Sequence, residues 1–399
     1  MLELDGRQTL IVAILVLFLG KKLNKRIPFL REYNIPEPVT GGVIASLIFG
    51  AIYFIANSEM TFLLTHRDTL LLMFFTTIGL SSKFSTLVEG GKSLVILLLC
   101  AIGYLFLQNF TGIAVTLFTG LDKPIGIIGG SVSLSGGHGT AIAWSEIFTT
   151  DYGITNASEI GIACATFGLI LGGIIGGPIA KYLINTYKLQ PSSTEEPSVG
   201  VKHEKEKLSV DYFDFLNSLL VIAIAMGLGI HLDYLISRLG VNLPMFVSCL
   251  FAGILLTNSV PLIFKRINWP TGSPSLALIS DLSLGLFLAM SLMSLQLWTL
   301  VELAGPILIL LGCQVLVIVL FVIFVVFRLM GKDYDAAVIS SGYAGLGLGA
   351  TPTAIANMTA VTKKFGASPK AFIVVPLVGA FFIDISNALI IKFLLGLIN

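Results

Sequence analysis

Two short stretches of this chain place glycines and polar side chains among apolar neighbours. The first, SVSLSGGHGTAIAW at residues 131–144, carries Ser133, Ser135, Gly136, Gly137, His138, Gly139 and Thr140. The second, YAGLGLGATPTAIAN at residues 343–357, carries Gly345, Gly347, Gly349, Thr351, Thr353 and Asn357. Glycine runs of this kind break a helix. Where the helix restarts, its N-terminus presents unpaired backbone N–H groups and about half a positive charge. Thr140 and Thr351 are the expected N-caps of the restarting limbs, with Pro352 at the first helical position of the second. Neither 125–150 nor 334–362 contains a Lys or Arg. An anion bound there would therefore rely on N–H groups, hydroxyls and His138. Backbone carbonyls freed at the breaks are hard oxygen donors that suit Na+. Two roles stay open for His138: holding the turn through a backbone carbonyl, or touching the bound ligand.

A third feature is FFIDISNALIIK at 381–392, which sets Asp384 and Asn387 three residues apart on one helix face. A carboxylate in hydrocarbon costs at least about 2.5 kcal/mol unless paired or hydrated. Asp384 is thus expected to neutralise an ammonium or a sodium ion, or else to form a hydrogen-bonded pair with one of the breaks. Ser133, Ser135, Thr351 and Asp384 are the sodium-ligand candidates. Gln108, Asn109 and Gln314 lie in apolar runs and face either a neighbouring helix or the pathway. Glu146, Asp151, Asp333 and Asp335 read as interfacial turn residues, and Glu37 as a helix cap.

The elements that position these residues follow from composition. Of 399 residues, 55% are hydrophobic and 12% charged, and the mean hydropathy is +0.93. Those values exclude a water-soluble chain, so the lipid bilayer is its first partner. Apolar segments near 8–20, 38–56, 69–82, 93–119, 159–187, 214–236, 241–264, 276–295, 303–328 and 370–395 mostly have the roughly 18–25 residues a membrane helix needs, and no barrel-like alternation. The expected fold is an all-α polytopic membrane protein. A net charge of +1 implies no nucleic-acid partner. The basic cluster Lys21, Lys22, Lys25 and Arg26 follows the first apolar run, unlike a cleavable signal peptide. The glycine-rich run GLILGGIIGGP at 168–178 reads as close helix packing.

If 125–150 and 334–362 each dip in and return, 19 basic residues fall on one side of the membrane and five on the other. That bias puts both termini outside and the polar linker 188–213 inside. The halves 1–187 and 214–399 also resemble each other. TLVE at 86–89 recurs at 299–302, TAIA at 140–143 recurs at 353–356, and IP at 35–36 answers LP at 243–244. Each half then holds five spans and one re-entrant hairpin, and an odd number of crossings inverts the second copy. Inverted-topology repeats with broken helices at matching positions point to a secondary transporter with its site at the repeat interface. An enzyme is not expected, since HExxH and GxSxG are absent; a nucleotide loop lacks its GK[ST] and its strand.

IPEPVTGG at 35–42, LSGGHGT at 134–140, CATFGL at 164–169, MGKDYDAAV at 330–338, GLGATPTAIANM at 347–358 and VGAFFID at 378–384 closely resemble the glutamate:sodium symporter (ESS) family, nearly end to end and in order. The resemblance implies a bacterial inner (cytoplasmic) membrane carrier that takes up L-glutamate with Na+ as coupling ion and no organic cofactor. It further implies a homodimer with an elevator movement, similar in architecture to the 2-hydroxycarboxylate symporters. In that setting the two breaks hold the carboxylates, Asp384 balances the α-ammonium or Na+, and Asn357 and Asn387 add ligands. The rival expectation keeps the architecture and changes the cargo to a dicarboxylate or 2-hydroxycarboxylate, or the coupling ion to H+.

Overall fold

The structure, a computed structural model, describes residues 2–32, 35–56, 60–84, 86–191, 211–238, 243–264, 268–295 and 303–398. Most of the linker expected at 188–213, and the second TLVE, lie outside them. In chain order the elements are β1 (Leu2–Leu4), α1 (Gly6–Arg26), α2 (Pro28–Glu32), α3 (Glu37–Ala56), β2 (Met60–Phe62), α4 (Thr65–Ser81) and α5 (Thr86–Thr119). Next come α6 (Lys123–Ile127), a π turn (Ile128–Val132), α7 (Gly137–Thr150), α8 (Ala157–Tyr187), α9 (Tyr212–Arg238), α10 (Met245–Ile263) and α11 (Pro274–Met293). The chain closes with α12 (Ala304–Phe321), a second π turn (Val322–Val326), α13 (Phe327–Leu329), α14 (Tyr334–Leu348), α15 (Thr351–Phe365), α16 (Pro369–Phe381) and α17 (Ile383–Ile398).

Helices occupy all ten positions read as spans. Among the described residues six helices are long and apolar enough by themselves to cross a bilayer, and α16 and α17, bent by 42° at their junction, pass the same test when taken together. This is a multi-pass membrane protein. It is not purely helical, as β1 and β2 form a small parallel pair in which Leu2 faces Met60 and Leu4 faces Phe62. Strands of three residues are too short to leave an alternation in the sequence.

The chain forms two compact units, Met1–Phe84 with Glu206–Thr299 and Ser85–Lys205 with Leu300–Asn399. Each unit takes one block from each half of the sequence, so the halves are not themselves compact domains. In the first unit, small residues let helix backbones touch. A Cβ on Gly20 would run into the Glu37 carbonyl, one on Gly41 into the Val16 carbonyl, and one on Gly79 into Leu250 O. The end of α4 is pinned by side chains: Leu80 O accepts from Thr257 Oγ1 at 2.8 Å and from Thr271 Oγ1 at 2.6 Å.

In the second unit α8 is the helix on which α7, α14 and α15 pack, while α5 packs against α6, α12 and α16. The expected glycine stripe on α8 is used for this. A Cβ on Gly168 would meet Leu348 O, one on Gly172 would come within 3.4 Å of Gly345 O, and one on Gly176 would strike the Asn357 amide. The second break is therefore held against a helix face stripped of side chains.

Candidate functional site

Both expected breaks are present, and both lie in the second unit. In the first, Gly130 leaves helical geometry (φ −96°, ψ −127°), residues 133–136 turn, and α7 restarts at Gly137. Gly137 has φ +70°, a left-handed conformation that a β-branched residue avoids. That is why the helix restarts at this glycine and not at Thr140, which sits inside its first turns. In the second, Gly349 (φ −146°, ψ −97°) and Ala350 (φ −160°, ψ 166°) interrupt the chain before α15. Ala350 is the N-cap, so Thr351 is the first helical residue and Pro352 the second, one position later than expected. Neither α7 nor α15 has a side chain bonded to its N-terminal N–H groups.

The two breaks meet. Ser135 Oγ donates to Gln108 Oε1 at 2.6 Å and lies 3.2 Å from Gly347 O, and Gln108 Nε2 donates to that same carbonyl at 2.8 Å. A Cβ on Gly137 would sit 3.7 Å from Gly349 O. Gln108 comes from α5 and is fully buried, and Gln314 Nε2 donates to its backbone carbonyl at 2.8 Å. One residue on, Asn109 clamps the first limb: its Nδ2 donates to Ser131 Oγ at 2.7 Å and its Oδ1 accepts from Ser131 N at 3.1 Å. Gly130 makes room for it, since a Cβ there would be 2.8 Å from Asn109 Oδ1. Of the two settings open to Gln108, Asn109 and Gln314, the structure shows the helix neighbour.

The remaining candidates divide by how their polar atoms are used. His138 Nε2 lies 3.0 Å from Thr166 Oγ1, whose hydroxyl proton goes to Ile162 O. Thr166 therefore accepts from Nε2, and a neutral imidazole keeps Nδ1 as an acceptor. A side chain of α8, not a backbone carbonyl, steadies this histidine. Asn357 donates to Gly172 O at 2.9 Å and Ser341 O at 3.4 Å, which lays α15 along α14. Asn387 Nδ2 donates to Ser131 O at 2.9 Å, joining α17 to the first break. The amide nitrogens of both asparagines are thus occupied within the protein.

What stays unpaired is a set of oxygens. Among the described residues, Ser133 Oγ, Thr353 Oγ1 and Asn387 Oδ1 are buried without a hydrogen-bond partner, as is Ser341 Oγ. Buried polar atoms left like this are costly unless an ion, water or ligand meets them. Asp384, one turn before Asn387 and half-buried, forms no hydrogen bond or ion pair with the described residues. Asp333 caps α14 through Ala336 N at 2.7 Å and Asp335 accepts from Ser368 Oγ at 2.6 Å, so these acids serve turns as expected. Ser131 and Thr166, which bond to Asn109, Asn387 and His138, are contacts of the candidate site that sequence reasoning passed over. Thr166, a hydroxyl inside an apolar helix, carried the signal that could have found it.

Such an arrangement can bind an anion at two uncapped helix N-termini and a hard cation at unpaired oxygens. A family model described as sodium/glutamate symporter matches residues 2–367. The sodium/glutamate symporter of Escherichia coli (strain K12) is 44% identical over 400 residues, covering 100% of this chain and 99% of that one. That of Haemophilus influenzae is 43% identical over 396 residues, covering 98% and 97%. Among solved structures, the sodium proton antiporter MjNhaP1 from Methanocaldococcus jannaschii aligns over 98% of each chain at 16% identity, with a TM-score of 0.43.

Proposed function

Because the chain belongs to the sodium/glutamate symporter family, we propose that it carries L-glutamate together with Na+ across the bacterial inner membrane. The observation that carries this reading is the junction of the two breaks at Ser135, Gln108 and Gly347. It gathers the free N-termini of α7 and α15 in one place with no Lys or Arg in either stretch. Each terminus takes one carboxylate of glutamate through N–H groups of Gly137, His138 and Gly139 on one side and of Thr351 and Thr353 on the other. Pro352 has no N–H to offer. Asp384 receives the α-ammonium or Na+, and the unpaired oxygens of Ser133, Thr353 and Asn387 complete the cation's shell. The relatives' names favour glutamate over other carboxylates and Na+ over H+.

The two breaks are re-entrant hairpins of an inverted repeat. This reading is supported by the division of the chain: the crossings from first to second unit follow Phe84 and Thr299, at equivalent points of the two halves. Both termini lie outside and residues 188–213 inside. The second unit carries the site and moves, elevator-fashion, against the first, in a homodimer. Coupling then has an energetic origin. A carrier holding glutamate without Na+ takes an unbalanced charge into the bilayer, at about 2.5 kcal/mol or more, which slows its crossing roughly 70-fold.

The test is labelled-glutamate counterflow in proteoliposomes, with Na+ or with choline. Exchange that needs Na+ supports the proposal; exchange undiminished in choline, or none in Na+, contradicts it.

A further inference from the structure

In the first unit, a groove of about 680 Å³ opens between α1, the start of α3 and α11. It holds three charged residues, Lys21, Glu37 and Asp281, in a lining otherwise made of apolar ones. All three are exposed. The ion pair among the described residues joins Arg67 and Asp68, and the side chains of Lys21, Glu37 and Asp281 form neither an ion pair nor a hydrogen bond with the described residues. Asp281 stands eight residues into α11, a helix apolar enough to cross the bilayer, where an exposed carboxylate is costly without a partner.

Packing sets the three at one level. Leu17 lies against Gly285, and Ala13 and Val16 share a core with Leu286, Met290 and Met293, so α1 and α11 run antiparallel. Moving one turn from that contact reaches Lys21 on α1 and Asp281 on α11. Gly20 packs on the backbone of Glu37, which brings the first residue of α3 to the same height. In the opposite direction the groove is walled by Ile14, Leu17, Phe18 and Leu288. Gly285 adds no side chain to that wall and lies against Leu17, which an added Cβ would meet at 3.7 Å.

The groove thus carries its charges on one side of the Leu17–Gly285 contact and an apolar wall on the other, the layout of a phospholipid. Its charges, one cation and two carboxylates, complement a phosphodiester that carries a primary ammonium. We propose that this groove binds an aminophospholipid of the phosphatidylethanolamine class. Lys21 meets the phosphate, Glu37 and Asp281 accept hydrogen bonds from the ammonium, and an acyl chain lies along the wall formed by Phe18, Gly285 and Leu288. A choline head group has no N–H to donate, and a glycerol head group has no cation.

Native mass spectrometry of the detergent-purified full chain with dioleoyl phosphatidylethanolamine, phosphatidylcholine and phosphatidylglycerol tests this. The expected result is preferential retention of phosphatidylethanolamine, loss of that preference in Asp281→Asn and in Glu37→Gln, and weaker retention of every lipid in Gly285→Leu. Equal retention of the three lipids by the parent chain overturns the proposal without recourse to any variant. So does an unchanged preference in Asp281→Asn. So does disulfide cross-linking of Phe18→Cys between two copies in the bilayer, which would make a second chain the occupant.

Discussion

Ser135 and Gly347 stand 212 residues apart in the chain, yet the hydroxyl of one lies 3.2 Å from the carbonyl oxygen of the other, and Gln108 bonds to both. The contact joins the turn of the first broken helix to the end of α14 in the second. It fixes the positions of two uncapped helix N-termini through a buried side chain that itself contacts no solvent.

Gln108 is accordingly a positioning residue. Replacing it with the near-isosteric Met leaves the Gly347 carbonyl buried without its strongest donor, at a cost of about 1–3 kcal/mol. Gln108→Met is expected to lower the thermal unfolding midpoint and to raise the KM for glutamate. Fluorescence-detected unfolding and uptake kinetics on the same preparation measure both. A normal KM with a normal midpoint would show that the bridge does not set the site's geometry.

Asp384 predicts opposite signs for stability and activity. Its carboxylate has no partner among the described residues, so Asp384→Asn removes a charge that costs about 2.5 kcal/mol or more in hydrocarbon. The variant should unfold at the same or a higher temperature while losing Na+-dependent uptake. Full uptake by this variant would end the role assigned to Asp384.

The unpaired hydroxyls provide a third contrast. Ser133→Ala and Thr353→Val delete buried oxygens that lack a partner among the described residues, so stability should hold or rise by up to about 1 kcal/mol. If these oxygens contact the coupling ion, half-saturation by Na+ should rise about tenfold, the effect of losing roughly 1.4 kcal/mol of binding. Unchanged Na+ dependence in both variants would remove them from the ion's shell.

Glycines nine residues apart on α8 should behave oppositely. Gly168→Ala drives a methyl into the backbone of Leu348, whereas Gly177 has nothing within 4 Å of the same added atom. Gly177→Ala should be neutral or gain about 0.5–1 kcal/mol from helix propensity. Gly168→Ala should destabilise by more than about 1 kcal/mol, because the atom it meets is backbone and cannot swing aside. Thermal midpoints of the pair test whether α8 holds the second break by close packing.

Much of this was legible in the sequence because membrane spans and their interruptions are governed by local properties. Hydrophobic length located ten helices, and glycine clustering located both breaks. Cap positions were less accessible. Thr140 and Thr351 have the right chemistry for N-caps, but the positive φ of Gly137 and the extended Ala350 decide where the helices restart, and composition does not disclose dihedral angles. A glutamine in an apolar helix announces that it has a partner; that Gln108 reaches Gly347, and Asn387 reaches Ser131, depends on which helices pack together. The compact units, each drawn from both halves, are a tertiary property for the same reason.

The central claim is that glutamate sits where the two broken helices meet. A cryo-electron microscopy map of the protein in a bilayer mimetic with saturating Na+ and L-glutamate tests it most directly. The expected map has ligand density against the N-terminal turns of α7 and α15, within hydrogen-bonding reach of their N–H groups. Density lodged away from both turns, or a continuous helix in place of either break, would contradict it.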